Sequence, residues 1–163
     1  MEHVILQPTV VPDALSPDEC DVIIQTAENA GWIMSSDSVD EQPAWEMNLG
    51  DYAAGSMAVA KLREVILGLE VEFVPTKFVI YVRKYGAEYR PSLAAHHDRS
   101  CISFSVTLSE EFTGGTFFFL DATGTEQEVV LSKGSAVVFG GNVMHGVRPV
   151  QEGIRYSLVV HSL

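Results

Sequence analysis

His96, Asp98, His145 and Arg155 are the residues whose types and order could do chemistry together. His96 and Asp98 are one residue apart, His145 follows much later in the chain, and Arg155 comes soon after it. Two imidazoles and one carboxylate on one face of a metal leave positions open for substrates, the ligand set of mononuclear non-haem iron. In an extended strand His96 and Asp98 point the same way, so one short segment supplies two neighbouring ligands. His145 must arrive from another strand. Arg155 then stands where a neighbouring strand could offer its fork to a carboxylate, which Arg grips in a bidentate manner.

These residues need elements to position them. Ser16-Pro17-Asp18-Glu19 reads as a helix start, with a capping Ser, Pro at the first helical position and Glu three after the cap. Helical spacing runs on through Val22, Ile23, Ala27 and Ala30, and Gly31 ends it. The polar stretch Trp32 to Asp51 reads as a long loop, and its Trp45 makes it a candidate substrate lid. A second helix is expected from about Tyr52 to Leu67, burying Met57, Ala60, Leu62, Val65 and Ile66. After Pro75 the pattern becomes that of strands: Phe78–Val82, then Ile102, Phe104, Val106 and Leu108 alternating with Ser103, Ser105 and Thr107. Short strands are expected at 116–120, 127–131, 135–139, 143–147 and 154–160. Many short strands at even spacing indicate an antiparallel sandwich or barrel, with the two helices covering one outer face.

At 163 residues the chain fits one domain, residues 1–163, divided into a helical N-terminal support (1–75) and a strand-rich core carrying the site (76–163). A net charge of −12 argues against nucleic acid as a partner. No apolar run suits a membrane span. Met1-Glu2-His3-Val4-Ile5 lacks the basic start and apolar stretch of a signal peptide, so a cytoplasmic location is expected. Cys20 and Cys101 carry no metal-type spacing and are read as reduced packing thiols.

Further motifs surround the four residues. Tyr85-Gly86-Ala87-Glu88-Tyr89-Arg90-Pro91-Ser92-Leu93-Ala94-Ala95-His96-His97-Asp98 leads into the first two ligands. Glu111-Phe112-Thr113-Gly114-Gly115 forms an acidic-aromatic-Gly-Gly turn. Lys133-Gly134-Ser135 precedes a strand, and Gly153-Ile154-Arg155-Tyr156 carries the arginine. This ordered set resembles the Fe(II)/2-oxoglutarate-dependent dioxygenases, within them the prolyl 4-hydroxylase and procollagen lysyl hydroxylase branch. The resemblance covers residues 77–160, and the entry helix at Leu15–Cys20 with Gly31-Trp32 adds to it.

It implies a mostly β, cupin-like jelly roll, the double-stranded β-helix, with two N-terminal helices on one face. His96, Asp98 and His145 would bind Fe(II), and 2-oxoglutarate would chelate the metal with its far carboxylate on Arg155. Tyr85 matches the upstream tyrosine that donates to the co-substrate, with Tyr81 as competitor, and Ser157 shares Arg155's face. O2 would be the oxidant, with ascorbate keeping the iron reduced. An intact carboxylate at Asp98 points to hydroxylation and away from halogenation. The expected reaction is hydroxylation of an aliphatic C–H, of a prolyl or lysyl residue in a peptide or protein or of a free amino acid. His97 is read as pointing away from the ligands, Arg83, Arg90 and Arg99 as facing solvent, and His3 and His161 receive no role. A regular last strand would nonetheless put His161 on Arg155's face.

Two rival readings remain at this point: a jelly-roll hydrolase or isomerase on Zn(II) or Mn(II), and a non-catalytic cupin-like binding protein. The first gives no reason for Arg155, and the second predicts a degenerate ligand set.

Overall fold

The capping box at Ser16 forms as the sequence dictates. In the computed structural model, which describes residues 6–72 and 74–163, Ser16 Oγ accepts from the Glu19 amide at 3.2 Å. Glu19 Oε1 accepts from the Ser16 amide at 3.0 Å, and helix α1 runs Pro17–Ala30 up to Gly31. Residues 1–5, with His3 and the stretch read for a signal peptide, lie outside the described residues. Helix α2 spans Ala53–Leu67 and buries Ala54, Gly55, Ala58, Leu62 and Ile66. Leu62 and Ile66 belong to the stripe expected from sequence, but Ala60 is exposed and Met57 and Val65 are half-buried. The stripe is turned because Ala54, Gly55 and Ala58 let the first turns approach the sheet closely, leaving the bulkier Met57 at the margin.

Twelve strands follow from the described sequence: β1 (Thr9–Val11), β2 (Ile33–Ser36), β3 (Pro43–Asn48), β4 (Phe78–Gly86), β5 (Leu93–His96), β6 (Ile102–Thr107), β7 (Phe112–Gly114), β8 (Phe117–Leu120), β9 (Glu126–Val129), β10 (Ala136–Gly140), β11 (His145–Val147) and β12 (Val150–Ser162). The larger sheet has the order β1-β10-β6-β12-β4-β3-β2, with β7 paired to β12, and the smaller has β5-β11-β8-β9. From β4 onward the chain passes back and forth between the two sheets, which is the winding of a jelly roll. The expected fold class is the one found.

The stretch Trp32–Asp51 is not a loop. It forms a hairpin, Ile33 opposite Glu46 and Ser36 opposite Pro43, and β3 joins the larger sheet with Trp45 opposite Lys84. Its turn is built by side chains: Asp37 Oδ1 accepts from the Val39 amide at 2.8 Å and Asp40 Oδ1 from the Gln42 amide at 3.0 Å. The strand signal is hidden because β2 is an edge strand exposed along its whole length, so nothing in it needs an apolar alternation. The first 75 residues are therefore more than a helical support, since β1, β2 and β3 all extend the larger sheet.

Every residue of β6 is buried, on both faces. Phe104 and Val106 pack with Val138, Leu158 and Val160 under the two helices, outside the roll, where the main core sits. Ser103, Ser105 and Thr107 point the other way, into the roll, beside Ser157 and Arg155 of β12. Cys20 and Cys101 are buried free thiols.

Candidate metal centre

Strand β5 ends at His96, so Asp98 stands in the following loop and not on the strand as the alternation suggested. The loop is fixed from the other side of the roll, because the Asp98 amide donates to the carbonyl of Gly141 at 3.0 Å. A Cβ on Gly141 would lie 2.0 Å from the Ser100 carbonyl oxygen, so only glycine permits this approach. His145 opens β11 and lies directly opposite His96 across the β5–β11 pairing. The ligand atoms of His96, Asp98 and His145 come within 4.8 Å of one another, close enough to hold one metal ion. His96 Nε2 is 3.3 Å from Asp98 Oδ1, and His145 Nε2 is 3.5 Å from Oδ2.

Both imidazoles are held by their far nitrogens. His96 Nδ1 sits 2.8 Å from the Ala94 carbonyl and His145 Nδ1 2.9 Å from that of Val143. A carbonyl only accepts, so each Nδ1 carries the proton and each Nε2 turns a lone pair to the centre. His145 lies between Phe117, stacked at 5.6 Å, and Phe139 at 4.5 Å. Burial there pushes its pKa down to about 4, leaving it neutral and ready to ligate near pH 7. Burial also works against a charge on His96, but the Asp98 carboxylate and the Ala94 carbonyl outweigh it and raise the pKa. Asp98 is buried as well, which disfavours its charge; the imidazoles around it, His161 foremost, nevertheless hold it far below the usual carboxylate range.

Arg155 is almost fully buried at 1 % exposure, and its Nη1 has no partner. Its guanidinium lies over the Tyr85 ring at 5.3 Å, Tyr85 being its cross-strand neighbour. A buried cation with an unused donor is costly unless an anion completes it. Arg155 lines a small recess with Thr107, Gly115, Thr116 and Phe117. Gly115 has φ +63°, and a Cβ there would lie 3.0 Å from Arg155 Cδ, so the Gly-Gly turn gives the arginine its room. The donor set thus fits a metal, and the orphaned guanidinium fits the distal carboxylate of a keto acid bound to it.

The cluster of His96, Asp98 and His145 opens into a cavity of about 540 Å³ lined by these three, Tyr81, Tyr85, Ser157 and the hairpin turn at Asp37–Val39. Ser157 is buried, with Oγ 3.2 Å from Ser105 Oγ. Tyr81, the competitor of Tyr85, faces His161 instead, ring to ring at 5.7 Å. His97 and Arg99 are exposed, but Arg83 and Arg90 are not solvent-facing. Arg83 donates to Glu46 and pairs with Asp37 at 2.8 Å, and Arg90 pairs with Asp40 at 2.9 Å. The hairpin supplies those acids, and a hairpin read as a loop could not announce them. Trp45 does not line the cavity; it packs edge-on against Tyr89.

His161 is the residue that sequence reasoning left without a role: β12 stays regular to Ser162 and brings its Nε2 within 3.3 Å of Asp98 Oδ2. Its spacing from Arg155, an even number of strand residues, was the available signal.

Residues 80–161 match the model of the 2OG-Fe(II) oxygenase superfamily. The chain is 33 % identical over 170 residues to a PKHD-type hydroxylase of Verminephrobacter eiseniae, covering 91 % of this chain and 74 % of that protein. Among solved structures it is similar to a Pseudomonas putida prolyl-4-hydroxylase, with TM-score 0.77, 20 % identity, and 96 % and 92 % of the two chains covered. A viral collagen prolyl hydroxylase from Paramecium Bursaria Chlorella virus-1 gives TM-score 0.70 at 19 % identity, with 96 % of each chain covered. Among the described residues no helix is long and apolar enough to cross a membrane. With a matched domain that carries the whole His-Asp-His cluster and the arginine, the chain belongs to the 2OG-Fe(II) oxygenase superfamily and is a 2-oxoglutarate-dependent hydroxylase using Fe(II) and O2.

Proposed function

We propose that His96, Asp98 and His145 bind the Fe(II), that Arg155 grips the distal carboxylate of 2-oxoglutarate, and that the substrate is a prolyl or lysyl side chain, in a peptide or protein or as the free amino acid. The observation that carries the co-substrate assignment is the orphaned, buried Nη1 of Arg155, whose cross-strand neighbour Tyr85 lines the cavity. Tyr85 stacks under that guanidinium and offers its hydroxyl to the same ligand, and Ser157 presents its hydroxyl from the same face of β12. When bound, the iron supplies the oxidising chemistry. The chain's own work is to leave coordination positions open, hold both histidines in the ligating tautomer and line the approach with Tyr81 and the Asp37–Val39 turn, which narrow the entry of water.

The substrate class is supported by the likeness to the PKHD-type hydroxylase and to the prolyl hydroxylases. One such solved prolyl hydroxylase, from Trichoplax adhaerens, is in complex with a peptide fragment. The first test is anaerobic titration of the protein with Fe(II) and 2-oxoglutarate, followed by visible absorption. A weak metal-to-ligand charge-transfer band is expected in the wild type and none in His145→Ala or Asp98→Ala, which should also lose turnover. Bound iron without the band would sink the co-substrate assignment. Prolyl and lysyl peptides and the free amino acids, screened by mass spectrometry for one added oxygen atom, then decide the substrate; no product from any of them would reject that class.

A further inference from the structure

Asp98 is held by more than the two histidines that share the centre with it. Its Oδ2 accepts from Ser103 Oγ at 2.6 Å, and His161 Nε2 lies 3.3 Å from the same atom. Ser103 and His161 sit directly opposite one another in the register of β6 and β12, so the larger sheet delivers both to one carboxylate oxygen. Ser103 is fully buried, and its hydroxyl lies 2.7 Å from that of Ser100, also fully buried. Since the Ser103 proton goes to Asp98, Ser100 must donate to Ser103, and a chain of donors ends on Oδ2. His161 is steadied by its edge-to-face contact with Tyr81, an interplanar angle of 85°.

The three imidazoles fall into two kinds. His96 and His145 have Nδ1 on a carbonyl and a bare Nε2. His161 has no such carbonyl partner among the described residues, and its Nε2 faces a carboxylate, which only accepts. The proton therefore sits on Nε2, and His161 is a donor where the other two are lone-pair ligands. In that tautomeric state neither His96 nor His145 can donate to Asp98 through Nε2, so the side-chain donors to it are Ser103 and His161, both on Oδ2.

We propose that His161, together with Ser103, is a positioning residue that fixes Oδ2 of Asp98 and leaves Oδ1 turned to the metal. This rests on the reading of His96, Asp98 and His145 as the metal ligands. Hydrogen bonds behind a ligating group orient it and raise its affinity for the ion, and their loss costs about 10–100-fold.

The test is Fe(II) affinity of the full chain, measured anaerobically against a competing chelator and without 2-oxoglutarate. His161→Phe keeps a ring against Tyr81 and removes the donor; His161→Gln restores a donor. His161→Phe should bind Fe(II) about 10–100-fold more weakly, His161→Gln should recover most of the loss, and Ser103→Ala should weaken binding in the same sense. With 2-oxoglutarate added, the charge-transfer band of His161→Phe should be displaced from that of the wild type. Should His161→Phe unfold, Ser103→Ala decides by the same affinity criterion. Wild-type affinity in His161→Phe, or in Ser103→Ala where that variant decides, overturns the proposal, as does a His161→Gln variant no better than His161→Phe. A wild type that binds iron but shows no band with 2-oxoglutarate would defeat the co-substrate assignment and leave this one standing; a wild type that binds no iron defeats both.

Discussion

Arg155 is the residue whose surroundings most constrain its role. Burial lowers its pKa, the nearby Tyr85 opposes that, and no carboxylate side chain pairs with it among the described residues. Replacing it by Ala should raise the 2-oxoglutarate KM by roughly two orders of magnitude, the worth of about 3 kcal/mol for a charge-assisted pair of hydrogen bonds. Iron affinity should be unchanged, because Arg155 is not among the three clustered ligands. Steady-state kinetics beside an iron titration separates the two, and an unaltered KM would refute the assignment. Residues of this kind were legible from type and order alone: the three clustered side chains and the arginine were all named from the sequence. Ser103 and His161 receive no role in the site from sequence, because a serine in a strand and a histidine near a chain end look like many others. Their meaning comes from meeting on one oxygen.

At the scale of elements, the hairpin β2–β3 is the lesson. Its edge strand carries no apolar alternation, so periodicity could not reveal it, whereas β6 and α1 announced themselves through alternation and a capping box. The same hairpin drapes its turn over the cavity and is tied down by ion pairs: Asp37 to Arg83, and Asp40 to Arg90. Arg83, Arg90 and Asp37 are all buried. Removing a buried partner leaves a charge uncompensated, so Asp37→Ala should destabilise the fold by about 3 kcal/mol. Denaturant unfolding measures this, and a cost near zero would mean that Glu46 and Asp40 alone satisfy both arginines. The turn should also loosen, which limited proteolysis between Asp37 and Gln42 would report.

Across the whole molecule, the core that holds the fold and the chamber that does chemistry lie on opposite faces of one sheet. Phe104, Val106, Leu158 and Val160 pack outward under α1 and α2, while Ser103, Ser105, Ser157 and Arg155 look inward. The period-two pattern of β6 was plain in the sequence; that its polar side would be enclosed too follows only from the second sheet closing over it. His96 and His145 stand on the smaller sheet. Asp98 is tied to the larger one by the Ser103 hydrogen bond, with His161 beside the same oxygen. An ion held by these three residues would therefore tie the two sheets of the roll together, and its binding would feed directly into stability. A divalent ion at about a hundredfold excess over its Kd should add about 2.7 kcal/mol and raise Tm by roughly 5–10 °C. A melting temperature indifferent to saturating ion and to chelator would rule this tie out. The same ion that equips the chamber for oxidation would then act as a mechanical fastener, and a chain stripped of it would lose a tie between its two sheets.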